Sequence, residues 1–253
     1  MENNEKFNLI LGDCLLKMKE IESESIDLVV TSPPYNKAGL AGFIRTRHKR
    51  DSWGTGRNIE YGGKAENDFM PEADYQQWQI EVLDEIHRVL KDGGSCCYNH
   101  KVRTVNYVAS FPTEWILKSK LKVRQEIIWD RGSTPELDNI KFLPTTERVY
   151  WLFKGEKPKY FNTEMSKHKE VWRLNPESGS KHPSPFPIEI SDRCVAALSQ
   201  EGELVLDCFM GSGTVGQSCI KQNRNFIGIE LNEEYYAMSK QRIEAERNQI
   251  KLF

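Results

Sequence analysis

The residues best placed for chemistry near the start of the chain are Thr31-Ser32-Pro33-Pro34-Tyr35, at the end of the apolar run Ile26 to Thr31. Two consecutive prolines fix φ and restrict the residue before each, so the neighbouring hydroxyl, carbonyls and ring are held in one orientation. Rigid acceptors of this kind suit an exocyclic amino group on a nucleobase. Its nitrogen lone pair is delocalised into the ring, which makes it a poor nucleophile. Ser32 Oγ and the Pro33 carbonyl can accept its protons and favour a pyramidal nitrogen during attack on a sulfonium methyl group. Tyr35 offers an aromatic face on which an extruded base can stack. A proline turn leaving a strand explains Ser32-Pro33-Pro34 better when the triplet is taken alone. A second chemical motif elsewhere in the chain reverses that preference.

That second motif runs from Leu204 to Gly216: a hydrophobic strand, glycines, then a helix. Gly211 and Gly213 permit a tight turn and let a ligand approach bare backbone. With Gly216 they satisfy G-x-G-x-x-G, and Glu230 ends the next strand, where a carboxylate can accept from ribose hydroxyls. The combination indicates a nucleotide-like ligand and leaves NAD and S-adenosylmethionine both open. Asp207 tilts the choice. A carboxylate four residues before the first glycine is unhelpful beside a pyrophosphate, but suits the ammonium group or bound waters of a methionine moiety.

The elements that must position these motifs follow from periodicity. Phe7 to Leu11 and Ile26 to Thr31 read as strands around a short helix, Cys14 to Ile21, with Leu15, Met18 and Ile21 on one side. Asp74 to Lys91 is an amphipathic helix with Trp78, Val82, Ile86 and Leu90 in register, stopped by Gly93-Gly94. Strand candidates follow at Ser95 to Tyr98, Val123 to Trp129 and Arg148 to Phe153, the last two close enough to form an antiparallel pair. A helix is expected from Pro187 to Leu198, with proline at the first helical position. Leu204 to Asp207, Thr214 to Lys221 and Asn225 to Glu230 form another β-α-β unit, and a last helix starts near Asn232, whose side chain can cap it. Alternating strands and helices give one α/β domain with a mainly parallel sheet.

Composition sets the remaining bounds. A chain of 253 residues that is 38% hydrophobic and 28% charged is that of a globular protein with one sizeable core. No apolar run approaches the roughly 18 to 20 residues that span a bilayer, and the start lacks a basic segment followed by an apolar one, so a cytoplasmic protein is expected. The six cysteines form no C-x-x-C pair, which favours buried reduced thiols over a zinc site. The net charge of -2 does not announce a nucleic-acid partner. Residues 36–70 hold six glycines and seven Lys or Arg, and read as a long surface loop. Within it Arg45, Arg47, Lys49 and Arg50 place four positive charges in six residues. Such a run is most often a solvated face, and DNA phosphates are the functional alternative.

Four stretches in order resemble the DNA amino-methyltransferases of the permuted β group: Leu11 to Asp13, Thr31 to Tyr35, Lys181 to Pro187, and Asp207 to Gly213. In that family the catalytic S-P-P-Y or D-P-P-Y motif precedes the F-x-G-x-G cofactor motif. The resemblance implies a Rossmann-like methyltransferase domain over 1–253, with a seven-stranded, mainly parallel sheet, an antiparallel strand and circularly permuted motif order. It implies Ser32, Pro33, Pro34 and Tyr35 as catalytic residues. S-adenosylmethionine would be held by Asp13, Thr31, Lys181, Pro183, Phe186, Asp207, Phe209, Gly211, Ser212, Gly213, Thr214, Glu230 and Leu231, with Asp13 near the adenine and Lys181 to Pro187 over the methionine end. No metal is implied. Ser32 resembles the cytosine N4 enzymes, whereas adenine N6 enzymes usually carry Asp there. The match fades over 36–70 and 155–180, where recognition of double-stranded DNA would vary. A homodimer and a separate cognate restriction endonuclease are open partner expectations; no Pro-Cys nucleophile and no P-D…(D/E)-x-K cluster is found. Three rivals remain. An NAD-dependent oxidoreductase leaves Ser32 to Tyr35 idle. A protein glutamine methyltransferase has its cofactor motif first and Asn at the Ser32 position. A non-catalytic DNA-binding module would not need the glycine turn.

Overall fold

The computed structural model describes residues 7–36, 70–134, 141–176 and 187–250. Its elements in chain order are β1 (Phe7–Leu11), α1 (Cys14–Met18), β2 (Ile26–Thr31), α2 (Glu72–Val89), β3 (Leu90–His100), β4 (Arg103–Val105), β5 (Val108–Ser110), α3 (Thr113–Ile116), β6 (Lys122–Asp130) and β7 (Thr146–Phe153). They continue with β8 (Val171–Arg173), α4 (Ile188–Leu198), β9 (Leu204–Asp207), α5 (Thr214–Lys221), β10 (Asn225–Glu230) and α6 (Glu233–Ile250).

Among the described residues eight strands form one sheet in the order β1-β10-β9-β2-β3-β7-β6-β8, and β4 and β5 form a separate hairpin. All neighbouring pairs are parallel except those made by β7, which runs against β3 and β6. The two ends of the chain therefore meet inside the sheet, with β9 between β10 and β2. This arrangement puts the carboxyl ends of β10, β9, β2 and β3 on one edge. The reversed β7 brings its amino-terminal end to the same edge.

Each sheet face is covered by apolar helix surface. On one face α1, α2 and α3 bury Met18, Tyr75, Val82, Leu83, Ile86 and Trp115. On the other, α4, α5 and α6 bury Ile190, Cys194, Val195, Val215, Cys219 and Ile243. Arg103 is fully buried, donates to both Glu72 oxygens at 2.7 and 2.8 Å, and lies 4.5 Å from the Tyr75 ring centroid, pinning β4 to α2. All six cysteines are buried and free, as composition suggested.

Several sequence expectations need correction. The sheet has eight strands rather than seven, because Val171–Arg173 adds to the free edge of β6. Three residues are too short to show periodicity; burial of Trp172 and a bond from Trp129 Nε1 to the Leu174 carbonyl hold them. The long helix is not stopped by Gly93-Gly94. It ends at Val89, and Leu90 turns directly into β3 to pair with Ile26. Helix α1 ends at Met18 rather than Ile21. Pro187 is the N-cap of α4 rather than its first helical residue. The first two strands run parallel, as a β-α-β unit requires, with β10 and β9 between them. The hairpin and α3 were not anticipated. The antiparallel pairing of β6 with β7 and the Asn232 cap of α6, with bonds of 2.8 and 3.0 Å to the Glu234 and Tyr235 amides, match the expectation.

Candidate active site

The two motifs, 176 residues apart in sequence, meet at a hydrogen bond. Strands β2 and β9 pair in parallel through Leu28 with Val205 and Val29 with Leu206. That register brings the ends of the two strands together, and Thr31 Oγ1 donates to Asp207 Oδ1 at 2.8 Å. The Phe209 amide donates to the same oxygen at 3.1 Å. Burial pushes the Asp207 carboxyl up to about 7, against these two bonds, with Glu230 adding to the rise. A buried carboxyl in this condition favours a cationic neighbour, which stabilises its ionised form.

The glycine turn sits beside it. Gly211 takes φ 51°, a left-handed conformation that L side chains rarely adopt, and its amide donates to Glu230 Oε2 at 2.8 Å. The Asn232 amide holds the other Glu230 oxygen, also at 2.8 Å, and burial raises the Glu230 carboxyl. Gly213 caps α5 at φ 83°. Gly216 serves packing instead: a Cβ there would lie 2.6 Å from Ile243 Cδ1. Ser212 and Thr214 are buried in the turn, their hydroxyls 3.4 Å apart, and Arg242 donates to the Ser212 carbonyl at 3.1 Å. The Phe209 ring meets Trp78 edge-on at 5.7 Å.

On the outer side, Leu11 pairs with Glu230 in the β1–β10 register, and the Gly12 amide donates to the Glu230 carbonyl at 2.8 Å. Asp13 is thereby brought to the Glu230 end of the edge, where it caps α1 by accepting from the Leu16 amide at 3.0 Å. Leu11 and Leu231 are both exposed here, at 41% and 42%, an apolar margin beside two carboxylates.

On the inner side the Pro-Pro turn is held from helix α2 and from strands β3 and β7. The Pro34 carbonyl accepts from Tyr75 at 2.7 Å, and Tyr75 in turn contacts His100 Nε2 at 2.7 Å and Gln79 Nε2 at 2.8 Å. Tyr35 is buried, its ring centroid 4.5 Å from that of His100. Its hydroxyl donates to Glu147 Oε2 at 3.0 Å, receives Asn99 Nδ2 at 2.6 Å and lies 3.0 Å from Ser32 Oγ. Arg131 Nη1 donates to the other Glu147 oxygen at 3.0 Å. Burial, then the Glu147 charge, push the Tyr35 phenol well above its ordinary value. Asn36 closes the turn with a double clamp on Met70, at 2.8 and 2.9 Å, so both ends of the intervening segment are tied at one point.

The structure thus gathers Thr31, Ser32, Pro33, Pro34, Tyr35, Asp207, Phe209, Gly211, Ser212, Gly213, Thr214 and Glu230 along one edge, with Asp13 and Leu231 at its outer end. Lys181, Pro183 and Phe186 lie outside the described residues, as do Arg45, Arg47, Lys49 and Arg50. Sequence reasoning missed Asn99, Glu147 and Arg131. Each is a single polar residue at or just past a strand end without a local motif, and the one available signal was the charged pair Glu147-Arg148 opening an apolar run.

Comparison with known proteins points the same way. The N6_N4_Mtase family model, described as DNA methylase, matches residues 26–241. Type II methyltransferase M.SmaI of Serratia marcescens is 30% identical, with 93% of this chain and 90% of that protein covered. DNA adenine methyltransferase YhdJ of Escherichia coli K12 is 25% identical over 95% of this chain and 84% of its own length. Among solved structures, the cytosine-N4-specific PvuII DNA methyltransferase superposes with a TM-score of 0.71 at 20% identity, covering 97% of this chain and 94% of that one. TTHA0409 of Thermus thermophilus, complexed with S-adenosyl-L-methionine, gives 0.67 at 21% identity, with 95% and 96% covered. The two structures share the fold.

Proposed function

The chain belongs to the N6_N4_Mtase family of DNA methylases, and from that premise we propose that it methylates the exocyclic amino group of a base flipped out of double-stranded DNA, with cytosine N4 as the acceptor. The methyl donor is S-adenosylmethionine, which supplies an electrophilic sulfonium methyl group. The observation that carries this reading is the Thr31–Asp207 hydrogen bond, because it puts the Pro-Pro turn and the glycine turn side by side on one edge.

The donor set fits the cofactor. Asp207 faces the cationic methionine end, Glu230 accepts from the ribose hydroxyls, and Leu231 with Asp13 borders the adenine. Gly211, Ser212, Gly213 and Thr214 shape the turn, Phe209 lies between it and α2, and Thr31 orients Asp207. Lys181, Pro183 and Phe186 cover the methionine end, a role that rests on the family resemblance. Ser32 Oγ and the Pro33 carbonyl accept the amino protons, and Tyr35 supports the base. The preference for cytosine rests on Ser32. Adenine N6 is the second reading, favoured by the relationship to a DNA adenine methyltransferase.

One methyltransferase domain spans 1–253, with 36–70 and 155–180 as target-recognition insertions and Arg45, Arg47, Lys49 and Arg50 on the phosphates. The type II relatives suggest a restriction-modification role with a separate endonuclease; a homodimer and a cytoplasmic location complete the proposal. Among the described residues no helix is long and apolar enough to cross a membrane. The test is methyl transfer from labelled cofactor to DNA, to protein, or to neither. Label in DNA supports the reading, and label in protein alone overturns it.

A further inference from the structure

A nitrogen that takes up a methyl group must also lose a proton, and the catalytic edge contains a path for it. Four consecutive strands of the sheet, β2, β3, β7 and β6, each contribute one part of a hydrogen-bonded chain. Ser32 lies just after β2 and is half-exposed, Tyr35 and Asn99 are buried behind it, and Glu147 near the start of β7 is buried at the end of the path, 6% exposed. Arg131, just past β6, fixes the far carboxylate oxygen. Tyr35 has one hydroxyl proton and donates it to Glu147. It also accepts from Asn99. The remaining contact, Ser32 Oγ to Tyr35 Oη at 3.0 Å, then has Ser32 as donor. Both hydroxyl protons point inward toward the carboxylate, and Asn99 Nδ2 approaches Ser32 Oγ at 3.4 Å, which leaves one lone pair of Ser32 Oγ to accept from the substrate.

We infer that Glu147 is the terminal proton acceptor of the reaction, reached from the substrate amino group through Ser32 and Tyr35. This rests on the amino-methyltransferase reading above. As the nitrogen–methyl bond forms and the sulfonium bond breaks, one N–H bond of the amino group breaks and its proton bonds to Ser32 Oγ. The Ser32 proton passes to Tyr35 Oη, and the Tyr35 proton passes to Glu147 Oε2. The electron pair of the broken N–H bond stays on nitrogen, so the product is neutral and Glu147 is protonated. The buried tyrosine relays a proton in and a proton out, and never needs to ionise. Burying a carboxylate with an arginine partner adds little net stability compared with an apolar pair, so a purely structural role gives weak grounds for Glu147. Besides Arg131 and Tyr35, the groups around it are the neutral Asn99 from β3 and Trp129, its register partner on β6; His100 contacts Tyr35 from the other side. Glu147 is a positioning and proton-accepting residue that acts through Tyr35, without touching the substrate.

The test is single-turnover methylation of DNA across pH, with cofactor and DNA affinities measured separately. The wild type should show a rate that rises with pH through one ionisation. Glu147→Gln keeps the shape and cannot take a proton; its rate should fall about 10²-fold, the lower end of what a positioned acid or base supplies. It should lose the pH limb and keep both affinities. Glu147→Asp should retain the limb at a reduced rate. Glu147→Gln at the parent rate, or with the parent pH dependence, overturns the inference. If Glu147→Gln loses cofactor binding through misfolding, Glu147→Asp decides: a kept limb supports the relay and a lost limb refutes it. A wild-type protein that methylates no DNA refutes the functional reading instead.

Discussion

The two halves of the proposed catalytic edge are built in different ways. In the cofactor half, β9, β10 and β2 are parallel, and each hands its chemistry to the residues immediately after its carboxyl end. The chemistry is therefore contiguous in sequence: Asp207 to Thr214 and Thr31 to Tyr35 are unbroken stretches. In the target half, β3, β7 and β6 alternate in direction, and the edge receives one or two side chains from each, Asn99 and His100 from β3 and a single residue from β7 and after β6. Asn99, Glu147 and Arg131 come from three separate segments, and their partnership exists only in the fold. A parallel strand–turn–helix places several consecutive backbone groups at a ligand. An antiparallel insertion delivers isolated side chains. The first kind of site is visible as a motif and the second is not.

This contrast can be broken by substitutions that act on one half only. The largest expected effect is in the cofactor half. Gly211→Trp puts a bulky side chain into the turn at a left-handed φ, and should abolish S-adenosylmethionine binding in calorimetry while the protein stays folded. Retained affinity would mean that the glycine turn is not the cofactor site.

Next is the proposed acceptor on the Pro-Pro turn, where the two halves meet. Ser32→Ala removes one transition-state interaction and should lower single-turnover methylation about 10²-fold with cofactor affinity unchanged. A matched drop in affinity would mean that the halves are not separable.

Asp207 gives a smaller effect with a definite sign. Its folded-state carboxyl titrates at about 7, above the ordinary 3.8. The folded protein thus keeps a proton that the unfolded chain has released between those values. Unliganded stability should fall as pH rises through this window and level off above about 7. Asp207→Asn, which keeps an oxygen for Thr31 and the Phe209 amide, should lack the fall and be more stable than the parent by a few kcal/mol at pH 8, yet bind cofactor less tightly. Parallel pH profiles in denaturant melts of the two proteins would contradict the assignment.

The legibility of the fold followed the same division. The parallel strands β1, β2, β9 and β10 and helices α2, α4, α5 and α6 were readable because each carries a local signal: apolar runs in the strands, periodicity in α2, Pro187 before α4, the glycine turn before α5 and Asn232 before α6. What could not be read were elements whose stability comes from distant partners. Leu90 leaves its helix for the sheet because Ile26 waits for it, overriding the two glycines that look like a stop. Val171–Arg173 is a strand only because β6 has a free edge. In the site, Tyr35 looked like a stacking surface, and the structure adds a hydroxyl bound to a buried carboxylate 112 residues away.

The smallest expected effect lies at Arg45, Arg47, Lys49 and Arg50, chosen for charge density alone. Replacing all four with serine should weaken DNA binding and flatten its dependence on log salt by roughly 0.9 for each phosphate no longer neutralised, with cofactor affinity unchanged. An unaltered slope would return the cluster to a solvated surface and shift DNA binding toward residues 155–180.

The central claim, transfer to an exocyclic amino group with cytosine preferred, is tested most directly by the product. DNA methylated by the protein is digested to nucleosides and analysed by mass spectrometry with chromatographic separation of isomers. The account predicts N4-methylcytosine. N6-methyladenine would keep the amino chemistry and replace the target base, whereas 5-methylcytosine, or no methylated nucleoside from a cofactor-bound protein, would contradict the account.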